Sequence, residues 1–465
     1  MNNMEEKNTI GHWYRFKSVY MFMLSFVTAL SLTIILKEPG FTDSQIYVIF
    51  LLFFSIGLWL SEAIPAFAVS LFIIAYLVFA LGNSYFNSAP ENIEKYGQTF
   101  SSSMIWLLLG GFFLAAAMTK TKLDQALFKY TLKLSGTNPR HLLIGLMGTT
   151  MIASMLMSNT ATTSMIIAAI LPLLTALGKK SGIAKALLLG IPLAAATGGI
   201  GTIIGTPPNA IGAGALKSAG IIIEFIDWMK FGIPVSFALT AIGCIALISI
   251  YIKDTTPISL DFLEDNKVGS NEESMLKRKI VTAVIFVTVG LWLTTSLHGL
   301  TVASICAVPL VILTVTGVLD GKDIQGLPWD TLLLVAGGLS LGLALEQTGL
   351  LNHYAQMLIS LNLNSMVLIF VFAYLTMLFS NIMSNTAAST VMIPMGMAIL
   401  PDMKLEVAMV IAISASTAMF LPVSTPPNAI AFSTGLLEQK DFRLGGILVG
   451  LLGPLLAIIW VMLVS

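Results

Sequence analysis

Ser158-Asn159-Thr160-Ala161 and Thr206-Pro207-Pro208-Asn209-Ala210-Ile211 are polar interruptions inside long apolar runs, and both return later in the chain. Ser384-Asn385-Thr386-Ala387 repeats the first, and Thr425-Pro426-Pro427-Asn428-Ala429-Ile430 repeats the second, in the same order. Trp106-Leu107-Leu108-Leu109-Gly110-Gly111 is likewise echoed by Leu332-Leu333-Leu334-Val335-Ala336-Gly337-Gly338. Unusual polar motifs recurring in one order divide the chain into two related halves. Adjacent prolines lack amide donors and clash with the preceding turn, so each Thr-Pro-Pro-Asn forces a helix to break.

The sequence around these motifs is overwhelmingly apolar. The 465 residues are 56% hydrophobic and 10% charged, with a mean hydropathy of +0.89. A soluble domain carries about 25% charged residues, so the composition excludes a cytosolic enzyme. The 24 Lys and Arg balance the 24 Asp and Glu, which gives no pull toward nucleic acid. Cys244 and Cys306 lie in apolar runs and support neither a disulfide framework nor a cysteine zinc site. With no phosphate-binding P-loop and no His-Glu-x-x-His, neither an ATP-driven pump nor a metalloprotease is indicated.

A helix crosses the roughly 30 Å of hydrocarbon with about 20 apolar residues. By that measure the segments 141–178 and 366–400 are too long for one span, and each is interrupted by Ser-Asn-Thr. They read as hairpins that return to their own side. The segments 186–217 and 405–434 read as crossings broken at Thr-Pro-Pro-Asn. The fold expected is all-α and polytopic, with about eleven crossings plus the two hairpins. The 254–276 stretch carries six carboxylates and no long apolar run, and reads as a solvated loop between the halves. With the N-terminus cytoplasmic and the C-terminus outside, only Lys37, Lys95, Lys217, Lys230 and Lys404 fall on the outer side. The other Lys and Arg stay inside, as the positive-inside rule requires. The first hairpin then opens from the inside and the second from the outside, so the repeats are inverted. Inverted repeats with matching broken helices point to a secondary transporter whose site lies near the midplane.

Ser, Asn and Thr cap helix N-termini through side-chain oxygens, and proline suits the first helical position. Each motif is therefore expected to start a half-helix. Four such ends gather partial positive charge and free N–H groups, which suit an anion. The preceding half-helices end in carbonyls, which suit Na⁺. Neither motif contains Lys, Arg, Asp or Glu. The anion would thus be held by amides, hydroxyls and dipoles, and the missing carboxylate relay favours a metal cation over a proton as coupling ion. Glu62, Glu346 and the four histidines lie near span ends, where snorkelled or paired roles are expected.

At these motifs the chain resembles the divalent anion/sodium symporter family, the INDY-type transporters of dicarboxylates, citrate and sulfate. The resemblance covers nearly the whole chain. It implies a homodimer in the cell membrane, with re-entrant hairpins and an elevator-like displacement. Residues 1–120 and 277–348 would form the scaffold, and 121–253 and 349–465 the transport domain. One sodium site would involve Ser154, Ser158, Asn159 and Gly205; the second would involve Ser380, Asn385 and Ser424, with a carbonyl near Met383. Substrate carboxylates would meet Asn159, Thr160, Thr206, Ser384, Asn385, Thr386, Thr425 and Pro426. No cofactor beyond Na⁺ as coupling ion is implied, and the partners would be a small dicarboxylate, Na⁺ and membrane lipid.

The leading expectation is sodium-coupled import of a C4-dicarboxylate such as succinate. A sodium-independent dicarboxylate exchanger and a sulfate or tricarboxylate carrier share the fold. From a different class, Gly338-Leu339-Ser340-Leu341-Gly342 matches the Gly-x-Ser-x-Gly of serine hydrolases, though in an apolar helix it fits close helix packing better. An intramembrane hydrolase built on Ser340 would lose all activity on Ser340→Ala, whereas a transporter keeps its uptake of labelled solute.

Overall fold

The computed structural model describes residues 2–88, 90, 92–253, 256–258, 272–359, 364–422 and 424–465. Every regular element among them is helical. The first half runs α1 (Asn2–Leu36), α2 (Asp43–Ser61), α3 (Ala66–Gly82), α4 (Glu94–Gly97), α5 (Ser103–Lys120), α6 (Leu123–Ser135), α7 (Pro139–Ser154), α8 (Asn159–Leu177), α9 (Gly182–Gly199), α10 (Pro207–Ser218) and α11 (Phe225–Tyr251). The second half begins with α12 (Glu272–Leu293), α13 (Thr295–His298), α14 (Val302–Ile305), α15 (Ala307–Val315), α16 (Gly321–Gln325) and α17 (Trp329–Gln347). It continues with α18 (Leu350–Ile359), α19 (Ser365–Ile382), α20 (Asn385–Ile399), α21 (Lys404–Ala415), α22 (Pro426–Ser433) and α23 (Phe442–Val464).

Local sequence explains the boundaries. Thr42 and Gln45 form a reciprocal capping box on α2. Asn138 caps α7 and Pro139 takes its first position, where a missing donor costs nothing. Glycines at positive φ follow α6 (Gly136, 64°), α8 (Gly178, 73°) and α17 (Gly349, 74°). Only a residue without Cβ enters that region freely.

Nine helices among the described residues are long and apolar enough to cross a membrane. The apolar segment 299–318 forms a helix shorter than a full span. Residues 302–315 are helical, α14 and α15 meeting at Cys306, which itself has helical dihedrals, and glycines at positive φ (Gly299, 70°; Gly317, 64°) bound the segment. The helices α6 and α18, of 13 and 10 residues, were not foreseen, because each is too short for a span. Of the expected loop 254–276, Ile258 is buried and its N–H bonds the Thr137 carbonyl at 2.9 Å, while 272–276 begin α12. Residues 254–255 and 259–271 lie outside the described residues.

The middle of the molecule is built on α9 and α21, the first halves of the two Thr-Pro-Pro-Asn segments. Every residue of α9 from Ala186 to Gly199 is buried, and every residue of α21 from Val407 to Ala415 is too. A helix apolar on all sides belongs in a core. Small residues allow its neighbours to approach closely. A Cβ on Gly337 of α17 would lie 2.3 Å from Ser70 Cβ and 2.6 Å from Ser70 Cα, so α3 and α17 meet backbone to backbone. Gly337→Val forces these helices apart. We expect a loss of about 3 kcal/mol, read as a clear fall in Tm of the detergent-solubilised protein, whereas Gly290→Ala, with no neighbour within 4 Å of its Cβ position, should change little.

Candidate functional site

The helices break at the repeated motifs. Between α7 and α8 the chain turns through 155–158, and Ser158 caps α8 by accepting from the Ala161 N–H at 3.1 Å. Between α19 and α20 only Met383 and Ser384 intervene, and Ser384 accepts from the Ala387 N–H at 3.2 Å. Thr206 is the cap residue of α10, with Pro207 at its first position, yet its side chain makes no cap hydrogen bond. Thr425 caps α22 through the Asn428 N–H at 3.4 Å. The longer irregular stretches, 200–206 and 416–425, lie between a buried half-helix and a proline-led one.

The same hydrogen-bond set occurs twice. Ser154 Oγ lies 2.5 Å from Asn159 Oδ1 and 2.7 Å from the Ala195 carbonyl. Ser380 Oγ lies 2.7 Å from Asn385 Oδ1 and 2.7 Å from the Ala415 carbonyl. Both serines are wholly buried. A hydroxyl has one proton and cannot serve two acceptors. With the serine proton given to the helix carbonyl, Oγ and the asparagine Oδ1 face each other with lone pairs only, an arrangement suited to a cation between them.

Glycines bring the first break onto its hairpin. A Cβ at Gly199 would lie 2.7 Å from Asn159 Oδ1 and 2.9 Å from the Gly205 carbonyl, and one at Gly205 would lie 2.4 Å from the Gly199 carbonyl. Asn159, Gly199 and Gly205 therefore crowd one spot, with Ser154 beneath. Among the expected ligands, Ser158 and Thr160 are exposed at the hairpin turn, and Ser158 Oγ is used as a cap. In the second half, Ser384 and Pro426 are exposed and Thr386 and Thr425 are buried. Ser424 bonds Asn381 Oδ1 at 3.1 Å and accepts from the Leu421 N–H at 3.0 Å. The contacts found for Ser424 thus draw it to Asn381 rather than to the Ser380–Asn385 pair.

Several asparagines that carried no site role in the sequence reading hold the breaks in shape. Asn209 Nδ2 donates to the carbonyls of Gly199, Ile200 and Thr202 at 3.0, 3.3 and 2.7 Å. Asn428 Nδ2 faces the carbonyls of Met419 and Leu421 at 3.4 and 3.1 Å. Asn381 Oδ1 accepts from the Phe420 N–H at 3.0 Å. Trp228 Nε1 adds a bond to the Ile200 carbonyl at 3.1 Å, and Thr202 Oγ1 reaches the Met155 carbonyl. The signal for Asn209 and Asn428 was present, as the fourth residue of each Thr-Pro-Pro-Asn. Asn381 lies outside both motifs.

The halves interlock, because α10 packs on α20 and α21 while α22 packs on α8 and α9. A cavity of about 310 Å³ lies between Ser384 and Ala387 at the α20 tip and the Trp59–Ala66 segment joining α2 to α3. No cluster of His, Cys, Asp or Glu among the described residues could hold a metal ion. The available donors are neutral oxygens, which fit a hard cation such as Na⁺ and not a transition metal. Ser340 is buried and engaged by the Tyr96 and Ala336 carbonyls and by Thr99 Oγ1, at 2.9, 3.0 and 2.8 Å, inside the α17 packing seam. That is a structural setting, not a nucleophile's.

Broken, interlocked membrane helices around a neutral polar centre define a transporter, not an enzyme. Residues 56–408 match the family described as CitMHS, citrate transporter, and the chain belongs to that family, in keeping with the divalent anion/sodium symporter motifs. It is 29% identical to the sodium-dependent dicarboxylate transporter SdcS of Staphylococcus saprophyticus, over 90% of this chain and 86% of that one. A Staphylococcus aureus protein of the same name is also 29% identical, over 89% and 85%. An uncharacterized transporter of Haemophilus influenzae is 30% identical, over 86% and 88%. Two solved structures share the fold. They are Neisseria gonorrhoeae MtrF, described among antimetabolite efflux pumps (TM-score 0.57, 13% identity, 88% of this chain and 97% of that one), and the Alcanivorax borkumensis YdaH transporter (0.53, 14%, 86% and 97%).

Gly199→Ala places a methyl against the Asn159 amide. We expect it, like Asn159→Ala and Asn385→Ala, to abolish solute uptake in vesicles while the protein still elutes as a folded species. Asn209→Ala removes the amide shared by the Gly199, Ile200 and Thr202 carbonyls and should instead lower stability by about 2 kcal/mol, seen as a fall in Tm.

Proposed function

We propose that the protein is a sodium-coupled importer of a C4-dicarboxylate such as succinate. The observation that carries this reading is the duplicated Ser–Asn–carbonyl set, Ser154–Asn159–Ala195 and Ser380–Asn385–Ala415, which offers two matched clusters of neutral oxygens. Each cluster stands beside a half-helix N-terminus, at Ser158 or Ser384, whose unpaired N–H groups favour a carboxylate. Cation and anion thus neutralise one another at adjoining sites, and no buried ionised side chain is required. Each sodium set stiffens a hairpin turn that the substrate also contacts, which links occupation of one to affinity for the other. The names of the staphylococcal relatives support both solutes.

Ser154, Asn159 and Gly205 would hold one Na⁺, and Ser380 and Asn385 with the Met383 carbonyl the other, with Ser158 and Ser424 at their margins. Asn159, Thr160, Thr206, Ser384, Asn385, Thr386, Thr425 and Pro426 would meet the substrate. In this reading the hairpins are re-entrant and the repeats inverted. Residues 121–253 and 349–465 move as a transport domain against the scaffold 1–120 and 277–348 of a homodimer, with the N-terminus cytoplasmic and the C-terminus outside. The α20 tip faces the α2–α3 segment, which is cytoplasmic in that orientation, so the conformation is inward-facing. The family description favours a tricarboxylate as the second candidate substrate.

Proteoliposomes loaded without substrate should accumulate labelled succinate under an inward Na⁺ gradient and not when choline replaces Na⁺. Uptake that ignores the gradient and requires internal dicarboxylate makes the protein an exchanger. Competition by citrate stronger than by succinate moves the substrate to the tricarboxylates. Because the proposed ligands do not titrate, uptake should decline on acidification only as the dicarboxylate loses its second charge.

A further inference from the structure

The wall opposite the α20 tip carries a residue whose placement works against its own helix. Glu62 ends α2 with φ 49° and ψ 31°, in the left-handed region where glycine is the usual occupant. A side chain there is strained, and a negative charge at a helix C-terminus meets the negative end of the macrodipole. Its carboxylate is exposed and makes no hydrogen bond or ion pair among the described residues. The paired role expected at a span end is therefore not taken up. The turn itself is tied down by its neighbours: Trp59 Nε1 donates to the Ala66 carbonyl at 3.3 Å, and Ser18 Oγ donates to the Ala63 carbonyl.

The cavity of about 310 Å³ sets this carboxylate across from the hairpin tip. Its far wall is Ser384, the cap of α20, and Ala387, whose N–H that cap accepts. Among the described residues that line the cavity, Glu62 alone is charged. In the proposed function Ser384 meets a substrate carboxylate. A fixed negative charge beside that position does not strengthen an anion's binding. It weakens each anion in proportion to the anion's own charge, so a trianion is repelled half again as strongly as a dianion. The hydroxyls and amides of the tip are neutral, and they accept a carboxylate whatever else the molecule carries. Glu62 responds to the total charge.

We propose that Glu62 is a specificity-determining residue, disfavouring tricarboxylate trianions against dicarboxylate dianions through its unpaired charge across the cavity from Ser384. The inference rests on the proposed function, and it decides between the two substrate classes named there. A residue that destabilises its own helix end is expected where its charge acts on a ligand.

The test is calorimetric titration of the full-length protein in nanodiscs of neutral lipid, at fixed Na⁺. The probes are succinate and tricarballylate at about pH 8, where every carboxyl is ionised. We expect Glu62→Gln to tighten binding by about threefold for each charge on the probe, so that tricarballylate gains more than succinate. Glu62→Asp should behave as the wild type. The gain should fade in about 1 M choline chloride, which screens charges beyond about 3 Å. A merely structural role would change both affinities alike and ignore the salt. Because Glu62 works against its helix end, the Tm of Glu62→Gln should not fall. Equal gains for both anions, no gain, a gain that survives the salt, or a fall in Tm overturns the assignment. Where sodium-driven succinate uptake is intact, any of these removes the role of Glu62 alone. Absence of Na⁺-dependent binding of either probe to the wild type removes the transport reading, and this inference with it.

Discussion

Hydrocarbon offers no hydrogen bonds, so each backbone group released by a broken helix must find a partner inside the protein or in a wet site. The rest of the molecule follows from meeting that demand at 200–206 and 416–425. Asn209 serves three carbonyls of the first break, sharing that of Ile200 with Trp228, and Asn428 with Asn381 serves the second. The first amides of α8 and α20, beyond those capped by Ser158 and Ser384, are not met by these side chains, and in the proposed function they would face the ligand. Stability and binding capacity are therefore settled by the same accounting of donors and acceptors.

Bringing the breaks against the hairpins requires removing side chains. Gly198 abuts the Met151 carbonyl, with a Cβ position only 2.4 Å away, and Gly232 of α11 stands in the same relation to the Ile200 carbonyl. In the second half, Gly446 of α23 closes on Phe420 Cα at 2.6 Å. The long helices α11 and α23 thus back the two breaks in corresponding ways, and the hydrogen-bond sets at Ser154 and Ser380 correspond as well. Charge plays its part elsewhere. Lys185 and Asp441 pair at 3.0 Å between the start of α9 and the start of α23, and Lys120 pairs with Asp320 at 2.9 Å. The latter pairing helps hold the Asp320 carboxyl down to about 2.

The breaks were legible because proline and Ser-Asn-Thr act locally, through missing donors and capping oxygens. The packed serines Ser154 and Ser380 were named only through the resemblance to the symporter family, and their pairing with the asparagines and helix carbonyls was seen in the fold. Asn381 was not legible, since nothing in its neighbourhood in sequence marks it, and its partner Phe420 lies far along the chain.

Composition and short motifs by themselves determined that this chain lives among lipids, that its polar motifs recur in one order, and where its helices break, because those properties depend on solvent transfer and on bonding between near neighbours. Only the folded arrangement decided which half-helices pack together, that Ser154 and Ser380 each meet an asparagine and a helix carbonyl in matched sets, and which backbone carbonyls Asn209 and Asn428 serve. Those outcomes depend on distances between groups far apart in the chain, and no local rule contains them.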